Sequence, residues 1–161
     1  LIVDELMLTT KPETWLCLKR IVRFGDTDAA GVMHFYQLLR WCHESWEESL
    51  ELYGIPPNRL FPNSKSIDSK ISILLPIVHC EASFYLPLFT GDHLEIDLFP
   101  KRLSGGHFQI ETKFKRDNKD VALGLIRHCA INSESRDRCP LPEEIDLWLE
   151  SSSLRLGVTS I

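Results

Sequence analysis

Cysteine is present in this chain but in no pattern that would organise a fold. Cys17, Cys42, Cys80, Cys129 and Cys139 are odd in number, widely spaced and free of any C-x-x-C pair. They point away from a disulfide framework or a zinc site and towards reduced thiols in a cytoplasmic protein. Long apolar runs are also missing. No stretch of eighteen uninterrupted apolar residues occurs, so no membrane span is expected. The opening Leu1 to Leu8 is apolar but short, holds Asp4 and Glu5, and has no basic region, so it is not expected to be a signal peptide or a membrane span. Positive charge is in short supply as well: 18 Lys and Arg against 23 Asp and Glu give a formal net charge of −5. A non-specific grip on nucleic acid needs a dense basic surface, so nucleic acid is not an expected partner, while a local basic cluster could still take an anionic small ligand.

Several standard catalytic signatures are absent too. There is no G-x-S-x-G elbow, no H-E-x-x-H, no G-x-x-x-x-G-K-[ST] and no G-x-G-x-x-G after a strand. His34, His43, His79, His93, His107 and His128 lack paired-ligand spacing and read as surface or satisfied core histidines. No metal and no cofactor is expected.

What remains, in 161 residues with 43% apolar and 25% charged content, is the composition of an ordinary globular chain of one domain. Residues 1–13 lack any period and are expected to form an irregular arm. A single domain is expected over 14–150, followed by a poorly ordered tail over 151–161, because neither a repeat nor a linker marks a second unit.

Leu16, Leu18, Val22 and Phe24 recur at even spacing and predict a first strand that ends at Gly25. Asp26 to Val32 has a loop composition, with Gly31 free to take angles other residues resist. A helical period follows. Phe35, Leu38, Leu39, Cys42, Trp46, Leu50 and Tyr53 share one face, Gly54 is placed to cap the C-terminus, and Pro56-Pro57 prevents continuation. Ile71 to Leu75 offers one short strand at most.

From Pro76 onward the period is two. Val78, Cys80, Ala82, Phe84 and Leu86 alternate with polar neighbours, as do Leu94, Ile96 and Leu98, and then Phe108, Ile110, Thr112 and Phe114. A last strand is expected over Val121 to Asn132, and a short helix after Pro142 through Ile145 and Leu149. One long helix with sequential hairpin strands predicts an α+β fold with a largely antiparallel sheet.

Asp26 and Asp28 both precede the long helix, where capping is the ordinary use of an acid. Asp28 stands out because small residues, Ala29-Ala30-Gly31, follow it and then the first N–H groups of a helix. A carboxylate beside fixed N–H donors is a sufficient apparatus for acyl transfer. Asp26 reads as a structural turn residue. Glu44, Glu47 and Glu48 read as a solvated helix face, with Glu44 kept as a reserve catalytic candidate.

The stretch Phe24-Gly25-Asp26-Thr27-Asp28-Ala29-Ala30-Gly31-Val32, the helix after it and the strand order through about Asn132 resemble the hotdog-fold acyl-CoA thioesterases of the 4-hydroxybenzoyl-CoA thioesterase type. Within that family the chain is most similar to the cyanobacterial-type 1,4-dihydroxy-2-naphthoyl-CoA hydrolases of phylloquinone biosynthesis. That similarity lies in Cys42-His43-Glu44 with Glu47-Glu48-Ser49-Leu50, Pro76-Ile77-Val78-His79, Pro87-Leu88-Phe89 before Gly91-Asp92, and Arg127-His128 before Ile131-Asn132.

The resemblance implies a long helix wrapped by an antiparallel sheet, a homodimer or homotetramer with sites between subunits, and an acyl-CoA substrate. It makes Asp28 the catalytic carboxylate and the backbone N–H of Phe35 the carbonyl-polarising donor, with Gly31 shaping the approach. His34 stands where relatives often have Trp or Tyr, and Phe35 where several have His or Tyr. Lys101 and Arg102 fall near basic positions that meet coenzyme A phosphates in relatives, and a solvated turn is the alternative for them. Other readings of the same chain are an aliphatic acyl-CoA thioesterase and a non-catalytic acyl-CoA binding module.

Overall fold

The computed structural model describes residues 15–67 and 70–155. The expected arm over 1–13 and the end of the tail, 156–161, lie outside the described residues. Among the described residues seven strands are seen: β1 (Cys17–Ile21), β2 (Ile73–Leu74), β3 (Ile77–Phe84), β4 (His93–Ser104), β5 (His107–Arg116), β6 (Lys119–Cys129) and β7 (Ile131–Asn132). Three α-helices accompany them: α1 (Phe35–Tyr53), α2 (Pro57–Leu60) and α3 (Glu143–Arg155). Five strands form one antiparallel sheet in the order β1-β4-β5-β6-β3, and β2 pairs with β7 separately. The α+β arrangement is the one expected.

The period of two becomes a two-faced sheet in β4 and β5. Leu94, Ile96 and Leu98 are buried, and Phe108, Ile110, Thr112 and Phe114 are buried opposite them in register. The helix α1 lies on this face. It packs tightly on Gly124 of β6, where an added Cβ would stand 2.2 Å from Cys42 Sγ, so the absence of a side chain there makes room for the Cys42 sulfur. Gly54 ends α1 in the left-handed conformation, φ 111°, with its N–H shared between Leu50 O and Glu51 O.

Four expectations are corrected. The buried stripe of α1 includes Trp41, Ser45 and Ser49 beside Leu38, Cys42, Trp46 and Leu50, whereas Phe35 is 66% exposed. The stripe is wide because α3 also packs on α1, with Trp148 Nε1 donating to Ser49 Oγ at 3.1 Å. Phe35, in the first turn, lies beyond that cover. Along β3, an edge strand bonded to β6 alone, the alternation does not separate inside from outside: only Ala82 is half-buried, because no second layer covers the rest. The last strand breaks at Ala130 into β6 and β7. Finally, the chain beyond Glu150 is not loose where it is described. The helix runs on to Arg155, Ser152 is buried and accepts from Trp15 Nε1 at 3.1 Å, and Ser151 Oγ lies 2.8 Å from Tyr53 Oη.

Among the described residues no helix is long and apolar enough to cross a membrane.

Candidate active site

The loop before α1 is held by its own short-range bonds. Phe24–Asp26 forms a 3-10 turn in which Asp26 Oδ2 accepts from the Arg23 N–H at 2.8 Å, and Asp26 O accepts from the His34 N–H at 2.9 Å. Both ends of the loop are thus tied to Asp26, a structural role. Asp28 N donates to Val32 O at 2.9 Å and Gly31 N to Asp28 O at 3.0 Å, which closes a tight turn. Gly31 sits at φ 81°, and beyond its chain neighbours no described atom lies within 4 Å of where its Cβ would be. Within this chain, backbone conformation and not crowding is what asks for glycine.

The turn sets the Asp28 carboxylate. Oδ1 accepts from the Ala30 N–H at 2.8 Å, and among the described residues Oδ2 has no hydrogen-bond partner. One oxygen is orienting and the other is available. The residue is exposed and lines a cavity of about 370 Å³ together with Met33, Phe35, Phe84, Tyr85 and Leu88 among others.

Phe35 opens α1, and as its first residue it presents an N–H with no intrahelical acceptor. The helix dipole adds partial positive charge at the same place. His34 caps the helix: its Nδ1 accepts from the Tyr36 N–H at 3.4 Å, and its ring lies 4.7 Å from that of Phe35. Asp28 and Phe35, expected to work together, therefore share one cavity, with Gly31 and His34 in the connecting loop.

The other candidates lie elsewhere. Glu44 is nine residues into α1, about 14 Å from its start at the rise of an α-helix, and it is paired with Arg40 at 2.7 Å. Arg102 is ion-paired with Asp146 of α3. Lys101 is exposed, and from His93 at the start of β4 it is about 27 Å along the strand. Because the turn before His93 is bonded to Val22 next to the loop, Lys101 and Arg102 occupy the opposite end of the sheet from Asp28.

The cavity wall was not foreseen in the sequence. It is the segment Phe84 to Leu88, joined to the loop by Met33 N donating to Leu88 O at 2.8 Å. Its one signal was the apolar run Phe84-Tyr85-Leu86-Pro87-Leu88-Phe89 continuing past the end of a strand into a turn. Among the described residues no group of three His, Cys, Asp or Glu side chains is placed to hold a metal ion.

The chain is similar to known proteins. The thioesterase-like superfamily matches residues 22–149. A 1,4-dihydroxy-2-naphthoyl-CoA hydrolase of Prochlorococcus marinus is 56% identical over 149 residues, 92% of this chain and 96% of that protein. A Prochlorococcus marinus (strain MIT 9313) protein of known crystal structure superimposes with a TM-score of 0.84 at 56% identity, covering 88% of this chain and 98% of that one. The 1,4-dihydroxy-2-naphthoyl-CoA thioesterase of Synechocystis superimposes with a TM-score of 0.74 at 26% identity, covering 83% and 94%. With Asp28 and the start of α1 inside the matched region, the chain belongs to the thioesterase-like superfamily.

Proposed function

We propose that the chain hydrolyses an aromatic acyl-CoA thioester, with 1,4-dihydroxy-2-naphthoyl-CoA of phylloquinone biosynthesis as the first candidate substrate. The observation that carries this reading is the shared cavity: the Asp28 carboxylate and the N-terminal turn of α1 at Phe35 face one space walled by Phe84 and Tyr85. The thioester carbonyl oxygen sits at the Phe35 N–H, where a helix N-terminus stabilises the negative charge that develops as the carbonyl carbon becomes tetrahedral. The free oxygen of Asp28 then either bonds to that carbon, forming a mixed anhydride that water cleaves, or removes a proton from an attacking water. In both routes the C–S bond breaks and coenzyme A leaves as the thiol. The relatives named as 1,4-dihydroxy-2-naphthoyl-CoA hydrolases, at up to 58% identity among them, support the choice of acyl group.

The same reading makes the fold a hotdog, with α1 wrapped by the sheet, and the active form a homodimer or homotetramer. Support comes from β3, whose outer edge has no neighbouring strand among the described residues and which, with the residues after it, exposes Ile77, Val78, Phe84, Tyr85 and Leu86. Edge strands with apolar surface ordinarily pair or are covered. Because Phe84 and Tyr85 also wall the cavity, a second copy on this edge would stand beside Asp28.

Thiol release measured across aromatic and aliphatic acyl-CoAs tests the assignment. Preference for the dihydroxynaphthoyl or another aromatic thioester is expected. Faster cleavage of aliphatic thioesters would move the substrate class, and no cleavage of any would leave a binding module. Single turnover in labelled water separates the two routes for Asp28, since direct attack first places carboxylate oxygen in the product.

A further inference from the structure

The first N–H groups of an α-helix have no acceptor within the helix, so each must be met by a flanking group, by water or by a ligand. In α1 that allocation runs through His34. Its carbonyl oxygen accepts from the Gln37 N–H at 3.0 Å, and its ring Nδ1 accepts from the Tyr36 N–H at 3.4 Å. The Phe35 N–H has no acceptor among the described residues, and Phe35 lines the Asp28 cavity. One residue thus occupies two donors of the first turn and leaves the one before them open.

Histidine is an uncommon choice for this position. Asn, Asp, Ser and Thr lead as caps, because a short side chain brings an oxygen to the N–H groups of the first turn. An imidazole can replace that oxygen only while neutral, since protonation turns its free ring nitrogen from an acceptor into a donor. The surroundings of His34 hold its ring at the helix end. Its N–H donates to Asp26 O at 2.9 Å, and its ring lies 4.3 Å from that of Tyr36 and 4.7 Å from that of Phe35. The residue is half-buried, so a proton from water can still reach it.

We infer that His34 is a positioning residue: its neutral imidazole engages the Tyr36 N–H, fixes the first turn of α1 and so holds the Phe35 N–H in place for the thioester carbonyl. The inference rests on the thioesterase reading. Protonation removes the acceptor, releases the Tyr36 N–H and loosens the turn, so turnover falls on the acid side. An imidazolium that acted as an added positive charge on the carbonyl oxygen would have the opposite sign. The other titratable or charged groups around the ring are Arg23, Asp26 and Asp28 of the loop, Tyr36 and Arg40 of α1, and Tyr85 of the cavity wall; Arg40 is paired with Glu44. All of them persist when position 34 is changed, so any limb they cause in a pH profile is shared by every variant.

The test compares the whole chain with two variants. His34→Asn keeps a capping acceptor that does not titrate, and His34→Leu keeps a side chain of similar size that cannot accept. With one aromatic acyl-CoA, His34→Leu is expected to lower kcat about tenfold and leave KM within about twofold, because the Phe35 contact strengthens as charge develops on the oxygen. His34→Asn is expected to recover most of that loss. From about pH 8 down to about 5, where histidine ordinarily changes charge, kcat of the unaltered protein is expected to show an acid limb that both variants lack. The inference is overturned by an Asn variant as slow as the Leu variant, by an acid limb that survives in the Asn variant, or by a kcat that rises as pH falls.

A second readout needs no activity. By NMR over the same pH range, the Tyr36 amide resonance is expected to move in the unaltered protein and to stay still in His34→Asn; equal movement in both overturns the inference. Should His34→Leu fail to fold, the pH profile of His34→Asn and the Tyr36 amide decide. If the unaltered protein cleaves no acyl-CoA, the thioesterase reading falls, and the Tyr36 amide still decides whether His34 is a titrating cap.

Discussion

Arg116, the last residue of β5, donates from Nη1 to Asp92 Oδ2 at 2.6 Å, and the same nitrogen lies 3.1 Å from Pro87 O. Asp92 Oδ2 also accepts from the Phe89 N–H at 2.8 Å. One half-buried ion pair thus fastens the turn that carries Leu88, the acceptor for Met33, and so sets the cavity wall against the Asp28 loop. Replacing Arg116 by Ala is expected to lower stability by about 1–3 kcal/mol, the usual range for losing a charged hydrogen bond that is partly shielded from water. kcat/KM should fall with it, and Arg116→Lys should recover only part, since an ammonium does not reproduce the guanidinium fork. Urea unfolding and steady-state kinetics on the same preparations check both.

Asp28→Asn keeps an oxygen able to accept from the Ala30 N–H, so the loop should hold its shape. Turnover is expected to drop by about 10²–10⁴, the range for loss of a positioned base. Near-normal turnover in a folded variant removes Asp28 from the mechanism.

Gly124→Ala places a methyl 2.2 Å from Cys42 Sγ. Overpacking of this kind costs about 1–3 kcal/mol. Removing the sulfur with Cys42→Ala should relieve most of the loss, so the double variant is expected to be more stable than the sum of the single effects. Additive losses in the cycle would mean that the two residues do not press on one another.

His128 is fully buried, stacked on Phe108 at 5.0 Å and within 4.3 Å of the Trp46 ring centre, with Nδ1 2.9 Å from Leu75 O. Burial pushes its pKa down to about 4, outweighing the bond to Leu75. The unfolded chain takes up this proton near pH 6.5 and the folded chain near pH 4, so the neutral imidazole favours folding above pH 6.5. As pH falls from 6.5 to about 4 that stability is lost, by about 3 kcal/mol in all. His128→Phe should remove this component. Comparing unfolding free energies of the two proteins at pH 7 and near pH 4.5 isolates it from the carboxylates they share.

Sequence alone determined the parts whose rules are local. The helix from Phe35 to Tyr53 was legible from its period and from Gly54, and β4 and β5 from strict alternation, because backbone geometry repeats every 3.6 or two residues whatever lies around it. Asp28 was legible as a candidate because the loop composition and the helix start are adjacent in the chain. Tertiary structure decided everything that depends on distant partners. It exposed Phe35 and all of β3 except Ala82, where no second layer covers them, and it carried α3 past Ser151 because Trp15 and Tyr53 meet it there. It also put Phe84 to Leu88 opposite Asp28 and fastened that wall through Arg116. These groups lie on different elements, and no period along the chain records which strand ends the sheet brings together.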